Sequence, residues 1–181
     1  MLNKFIAYRQ LLNKNIKKIL LGSGAVLALI VLLFVFIKPS GINGSKVIEI
    51  NKSYEVVART EERLRTDGNF KLRITNAEFG DYILVQGKRA NPIEGKVFLV
   101  INMEVENPYP VALYAFPVDL FRLVREDGSK FAPSVHQGSV QIRPESTKKS
   151  NVGFVVFPSE KKFKLEVGDV SDPKETLVIT F

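Results

Sequence analysis

Residues 96–107 read KVFLVINMEVEN, and the reading of this stretch decides the fold. Val97, Leu99, Ile101, Met103 and Val105 fall on one face, and Asn102, Glu104 and Glu106 on the other. Side chains that point to opposite faces at every step have this period of two, the mark of a half-buried β-strand. A helix would scatter the same residues around its circumference.

The flanking sequence follows the same grammar. Phe70, Leu72 and Ile74 alternate with Lys71, Arg73 and Thr75, and the apolar phase then slips to Ala77 and Phe79. That slip predicts a bulge near Asn76. After Asn107 the tripeptide PYP breaks the chain, and VDLFRLVREDGSKFAP reads as a hairpin turning at Asp127-Gly128. SVQIRPESTKKSNVGFVVFP offers a strand, a polar turn and a strand buried on both faces. KKFKLEVGD alternates through Phe163, Leu165 and Val167, and ETLVITF places Leu177, Ile179 and Phe181 on one face. About seven short strands, frequent turns and no long helix predict an all-β domain, an antiparallel β-sandwich over residues 69–181.

Upstream the grammar changes. PSGINGS, from Pro39 to Ser45, is turn-rich. KVIEINKSYEVVARTEERLRTDG begins like a strand, while ARTEERLR suits a helical turn, so residues 38–68 read as linker and stalk. The Asn-x-Ser sequons at Asn43 and Asn51 read as chance occurrences.

Ile19 to Ile37 is 19 residues without a charge, bracketed by Lys18 and Lys38. At about 1.5 Å per residue such a helix approaches the roughly 30 Å hydrocarbon core of a bilayer. Removable signals have shorter apolar cores that end in small residues. Here Phe34 and Phe36 stand where small residues would be needed, so an uncleaved signal-anchor over residues 19–37 is expected. Five positive charges precede this segment, which puts the N-terminus in the cytoplasm and the β-domain outside, in the periplasm or at the cell surface. Residues 1–18 carry Leu2, Phe5, Ile6, Arg9, Leu12 and Ile16 at helical spacing. This basic leader either lies on the inner membrane surface or continues the spanning helix. Gly24 and Ala28 form a small-xxx-small pair suited to helix packing.

The net charge of +7 resembles a nucleic-acid signal until it is located. Six of the 26 Lys and Arg lie before residue 41, where no acidic residue occurs. From Gly41 onward 20 cations meet 19 anions, which removes most of the case for a nucleic-acid partner. The absence of cysteine excludes disulfides, thiolate nucleophiles, cysteine-ligated metals and a bacterial lipid anchor on a thiol. The domain must therefore stand on its hydrophobic core.

The residues give catalysis little to work with. His136 is the sole histidine, and APSVHQGSV shows no nucleophile-elbow pattern, so it reads as a loop surface residue. Neither Asp119, Glu126 and Asp127 nor Asp169 and Asp172 form the alternating run of a calcium loop. Glu104 and Glu106 share a strand face as glycosidase carboxylates can, but there is no Trp to build a sugar platform. Phosphate-cradling glycine loops are absent. No catalytic, cofactor-binding or metal residue is assigned. The interaction candidates are ENPYPVALYAFPVD and PSVHQGSV, with Tyr109, Tyr114, Phe116 and His136 as a partner-binding loop set. The same aromatics also suit a plug at one end of a sandwich. Free sheet edges offer a second route, by strand addition.

VFLVINMEVENPYP, FRLVREDGSKFAP, IRPESTKKSNVGFVVFP and KFKLEVGD together resemble a family of exported immunoglobulin-like domains of unknown function. That family is often labelled telomeric-repeat-binding-factor-like. The resemblance spans about Asn69 to Phe181, and implies an immunoglobulin-like sandwich in a bacterial or archaeal envelope protein. This chain departs from the pattern in its spanning helix and in IRPES, where a glycine often precedes the glutamate. The family brings no catalytic residues.

The expectation is a non-enzymatic, single-pass membrane protein whose outer domain binds or scaffolds other proteins, as an accessory subunit of an envelope or surface assembly. Its partners would be membrane lipid and envelope proteins; the oligomeric state is not readable. A ligand-sensing or substrate-binding envelope domain is the alternative, and an envelope hydrolase using His136 the remaining one.

Overall fold

The computed structural model describes residues 46–181. The leader, the apolar segment with Gly24 and Ala28, and the first part of the linker lie outside the described residues. Among the described residues no helix is long and apolar enough to cross a membrane.

β1 (Ile48–Arg59) and β2 (Arg65–Gly80) make a long hairpin, and β3 (Ile83–Val85) and β4 (Lys88–Ala90) a short one. β5 (Val97–Asn107) is followed by β6 (Leu113–Ala115), the four-residue helix α1 (Pro117–Leu120), β7 (Phe121–Val124) and β8 (Lys130–Phe131). Then come β9 (Val135–His136), β10 (Val140–Ile142), β11 (Ser146–Val156), β12 (Lys162–Val167) and β13 (Glu175–Thr180). Seven strands form one sheet in the order β10-β6-β1-β2-β5-β11-β9, and four form a second in the order β13-β12-β7-β8. Their pairings are antiparallel.

The alternation of residues 96–107 explains where the core sits. Leu99, Ile101, Met103 and Val105 face inward beside Phe70, Leu72 and Ile74 of β2. Phe121, Leu123, Phe163 and Leu165 of the second sheet meet them, all nearly or fully buried. Each such side chain contributes roughly 1.5–3 kcal/mol of burial free energy, which two facing sheets collect without any disulfide. The fold is thus all-β, an antiparallel β-sandwich.

The phase slip is a bulge between Ile74 and Asn76, where Thr75 is the extra residue and its Oγ1 donates to the Asn102 carbonyl at 3.1 Å. The expected Asp127-Gly128 turn joins β7 to β8, with Gly128 at φ +81° and the Asp127 carboxylate accepting from Ser129 N–H and Oγ–H.

The segment read as stalk, residues 38–68, needs correction. Ile48–Arg59 is a full strand of the larger sheet, paired with β2 from Ile48↔Ala77 to Arg59↔Arg65. Tyr54, Val56 and Ala58 bury against the core, and ARTEERLR is not a helix. Thr60–Leu64 is instead the hairpin tip, turned by Arg63 at φ +69° with Thr60 N–H donating to the Leu64 carbonyl. The domain boundary at residue 69 therefore falls inside β2.

The β3–β4 hairpin covers part of the outer face of the larger sheet. Its tip, Gln86-Gly87, has φ of +49° and +78°, the two positive values a type I′ turn demands. Ile83 packs on Phe98 and Val100, with Val135 and Val155 alongside, as a second small core. Gly153 permits the approach, since a Cβ there would lie 3.3 Å from Phe98 and 3.4 Å from Ile83.

The sandwich has two poles. β1 starts at the proximal pole, where the rings of Phe79, Phe163 and Phe181 close the core with centroids 4.2 to 6.0 Å apart. β1 turns into β2 at the distal pole.

Candidate interaction surface

Three arginines of the β1–β2 hairpin organise the distal pole. Arg59, the last residue of β1, reaches across to Asp169 in the loop after β12. Its Nη2 donates to both carboxylate oxygens at 2.9 and 2.8 Å, and its Nε to Oδ2 at 3.2 Å. The Asp169 side chain is 1% exposed and that of Arg59 16%, so this is a largely buried, forked ion pair between the two sheets. Burial alone would raise the Asp169 pKa, but hydrogen bonds from Arg59 and Ser171 N–H and the charges of Arg59 and Arg65 outweigh it. The carboxyl is held below its usual range.

Arg65 extends the pair. Its Nη2 donates to both oxygens of Asp172, at 2.9 and 3.0 Å, and Nη1 lies 3.6 Å from Asp169. Arg63 pairs with Asp119 of α1 and lies over the Phe116 ring at 4.5 Å. Glu61 of the same tip accepts a hydrogen bond from the Tyr114 hydroxyl at 3.2 Å, and that oxygen accepts from Gln141 at 2.9 Å. One hairpin thus holds three other segments in place.

Asn107 fixes a fourth. It is fully buried at the end of β5; its amide nitrogen donates to the carbonyls of Val111, Ile142 and Arg143, and its oxygen accepts from Tyr109 N–H at 3.1 Å. The PYP loop is therefore stapled to the core although its prolines forbid a ladder. Tyr109 lies against Gly68, where a Cβ would stand 2.8 Å from its ring, and its hydroxyl accepts from Asn69 N–H at 2.9 Å.

Of the four loop candidates, Tyr109 and Tyr114 both touch the β1–β2 hairpin and are half-buried. Phe116 is buried beneath Arg63 and is core rather than contact surface. His136 belongs to the edge strand β9, opposite Val152, with Nδ1 accepting from Gly138 N–H at 3.0 Å. It is a half-buried strand residue and not part of an exposed loop, because pairing with β11 orders the segment.

Sequence reading passed over what the clasp presents outward. Leu64, Val111 and Val170, one on each of three loops around it, are 65%, 55% and 50% exposed. A groove of about 720 Å³ is lined by Ser53, Glu55, Lys71, Glu106 and Tyr109, together with Glu175 of the second sheet. Among the described residues no group of acidic and histidine side chains is placed to hold a metal ion. Asn107-Pro108 was the available signal for the staple, since Asn-Pro favours turn initiation.

No family model and no curated protein matches the chain. Among solved structures it is similar to a conserved hypothetical protein from Bacillus anthracis, at 16% identity and a TM-score of 0.45, covering 75% of this chain and 99% of that one. It is also similar to an uncharacterized beta-sandwich protein from Clostridium difficile, at 16% identity and a TM-score of 0.47, covering 78% of this chain and 98% of that one.

Proposed function

We propose that this protein is a non-enzymatic, membrane-anchored envelope protein whose immunoglobulin-like sandwich binds another protein with its distal loops. The observation that carries the reading is the clasp itself: exposed Leu64, Val111 and Val170 stand on loops already fixed by Arg59, Arg63, Arg65 and Asn107. Loops ordered before binding lose little entropy on binding, so modest apolar contacts suffice. Anchoring is supported by the 19-residue apolar run Ile19–Ile37 and its basic flank. The motif resemblance from Asn69 to Phe181 supports both the immunoglobulin-like assignment and a place outside the cytoplasm.

The test is photo-crosslinking in the native membrane, with a photoreactive residue at Leu64 or Val111 and, as control, at Val178 on β13. Discrete adducts from the first two and none from the third are expected. Equal labelling at all three would overturn the distal assignment. Replacing Gly24 and Ala28 by leucine asks whether the helix also holds the partner, which would then be lost on mild-detergent purification.

A further inference from the structure

We propose that the proximal pole of the sandwich rests on an anionic lipid surface. This deepens the membrane-anchored reading and depends on it.

The pole gathers exposed apolar side chains and lysines. Phe157 follows β11 and Ile93 lies in the turn before β5; they are 51% and 64% exposed. The register places both there, because Val97↔Val156 is the last pair of the β5–β11 ladder. Val47 precedes β1, and Tyr82 follows the Gly80↔Phe98 pair at the end of β2; both are exposed.

Three of the rings at this pole carry a cation. Lys96 Nζ lies 4.2 Å from the Phe157 centroid, Arg89 4.2 Å from that of Tyr82, and Lys161 5.3 Å from that of Phe79. Lys46 adds a fourth positive charge where the described chain begins. Asp81 and Glu94 oppose them, as do Glu126 and Asp127 of the β7–β8 turn, which share a pocket with Lys161 and Lys162, while Glu160 is engaged by Arg125 and by Phe157 N–H. Aromatic rings with long cationic neighbours suit the headgroup layer, where the ring meets the acyl boundary and the charge stays wet.

Chain length gives the same direction. Eight residues separate Ile37 from Lys46, and even fully extended the nine steps between them span no more than about 32 Å. In an anchored chain, the pole that carries Lys46 is the one the tether keeps within that reach of Ile37.

The chain has no tryptophan, so Phe157→Trp supplies a single fluorophore in the full-length protein. The variant is reconstituted into phosphatidylcholine vesicles with or without phosphatidylglycerol, with lipids brominated on the acyl chains as quenchers. A Leu64→Trp chain, labelled at the distal pole, is the comparison. Quenching several-fold stronger at position 157 than at 64, strengthened by phosphatidylglycerol and weakened by Lys96→Glu, is expected. Equal, weak quenching at both positions in chains that float with the vesicles would overturn the lipid contact and leave the anchor intact. Failure to float at all would overturn the anchor, and this inference with it.

Discussion

Arg59 and Asp169, 110 residues apart in the chain, form a forked ion pair that ties the end of β1 to the loop after β12. It crosses between the sheets at the distal pole, where the apolar core gives way to loops. Removing one partner strands the other charge in a nearly dry site, which is costlier than never having built the pair.

Asp169→Asn should accordingly lower unfolding stability by about 3 kcal/mol at neutral pH. The dependence on acidity follows from the lowered Asp169 pKa. A carboxyl depressed in the folded state stabilises above its unfolded pKa, and that contribution is lost as pH falls through the folded value. Urea melts between pH 7 and 2 should show the wild-type chain losing stability below the ordinary carboxylate range, with the variant's acid limb flatter. Parallel curves would show that the pair contributes nothing.

Asn107→Ala removes a buried amide that serves four backbone groups. A loss of about 2 kcal/mol is expected from the unsatisfied carbonyls. Hydrogen exchange should quicken at Tyr109, whose amide donates to the Asn107 oxygen, before it quickens in β5. Uniform acceleration along both would mean that the side chain stabilises the whole domain and not the loop.

Gly68→Ala pushes a methyl group against the Tyr109 ring. The expected penalty is about 1–3 kcal/mol, typical of overpacking. In a Tyr109→Ala background the same change should be nearly neutral, and the cycle isolates the contact. An equal cost in both backgrounds would locate the strain in the backbone of β2.

Phe163→Ala opens the proximal aromatic cluster with Phe79 and Phe181, and a loss of about 3–5 kcal/mol is expected. By contrast Leu64→Glu, on the exposed hairpin tip, should shift thermal stability by no more than about 0.5 kcal/mol. A large loss from the second change would show that Leu64 supports the fold.

How far the molecule was legible depended on how each segment uses its side chains. β12, β13 and the second half of β5 alternate cleanly because one face is dry and the other wet, and period two follows from that, whereas Phe98 and Val100 in the first half of β5 are covered by the β3–β4 hairpin. β1 showed only a strand-like start and read as stalk because Asn51, at φ +50°, sits in a bulge that resets the phase between Glu49 and Lys52, and because the charged run ARTEERLR at its end suits a helical turn equally well. The β3–β4 hairpin had a signal in Gln86-Gly87, a pair able to take two positive φ values, with three residues paired on each side. At the distal pole, nothing local in the run of aromatics and prolines distinguishes the buried Phe116 from the half-buried Tyr114. That difference comes from Arg63, whose ion-pair partner Asp119 lies 56 residues further on. Long-range ion pairs leave no periodic trace, so the clasp is visible only once the chain is folded.

The β1–β2 hairpin has a mechanical meaning as well. β1 leads directly from the proximal pole, where the chain comes in from its proposed anchor, to the tip that bears Leu64. A partner pulling on that tip would load β1 end to end, and the force would travel along covalent backbone. No rung of a sheet has to shear for tension to pass from one side of the domain to the other. Thus the sandwich can be tugged through this hairpin without being unzipped, as a rope is pulled through the knot that grips it.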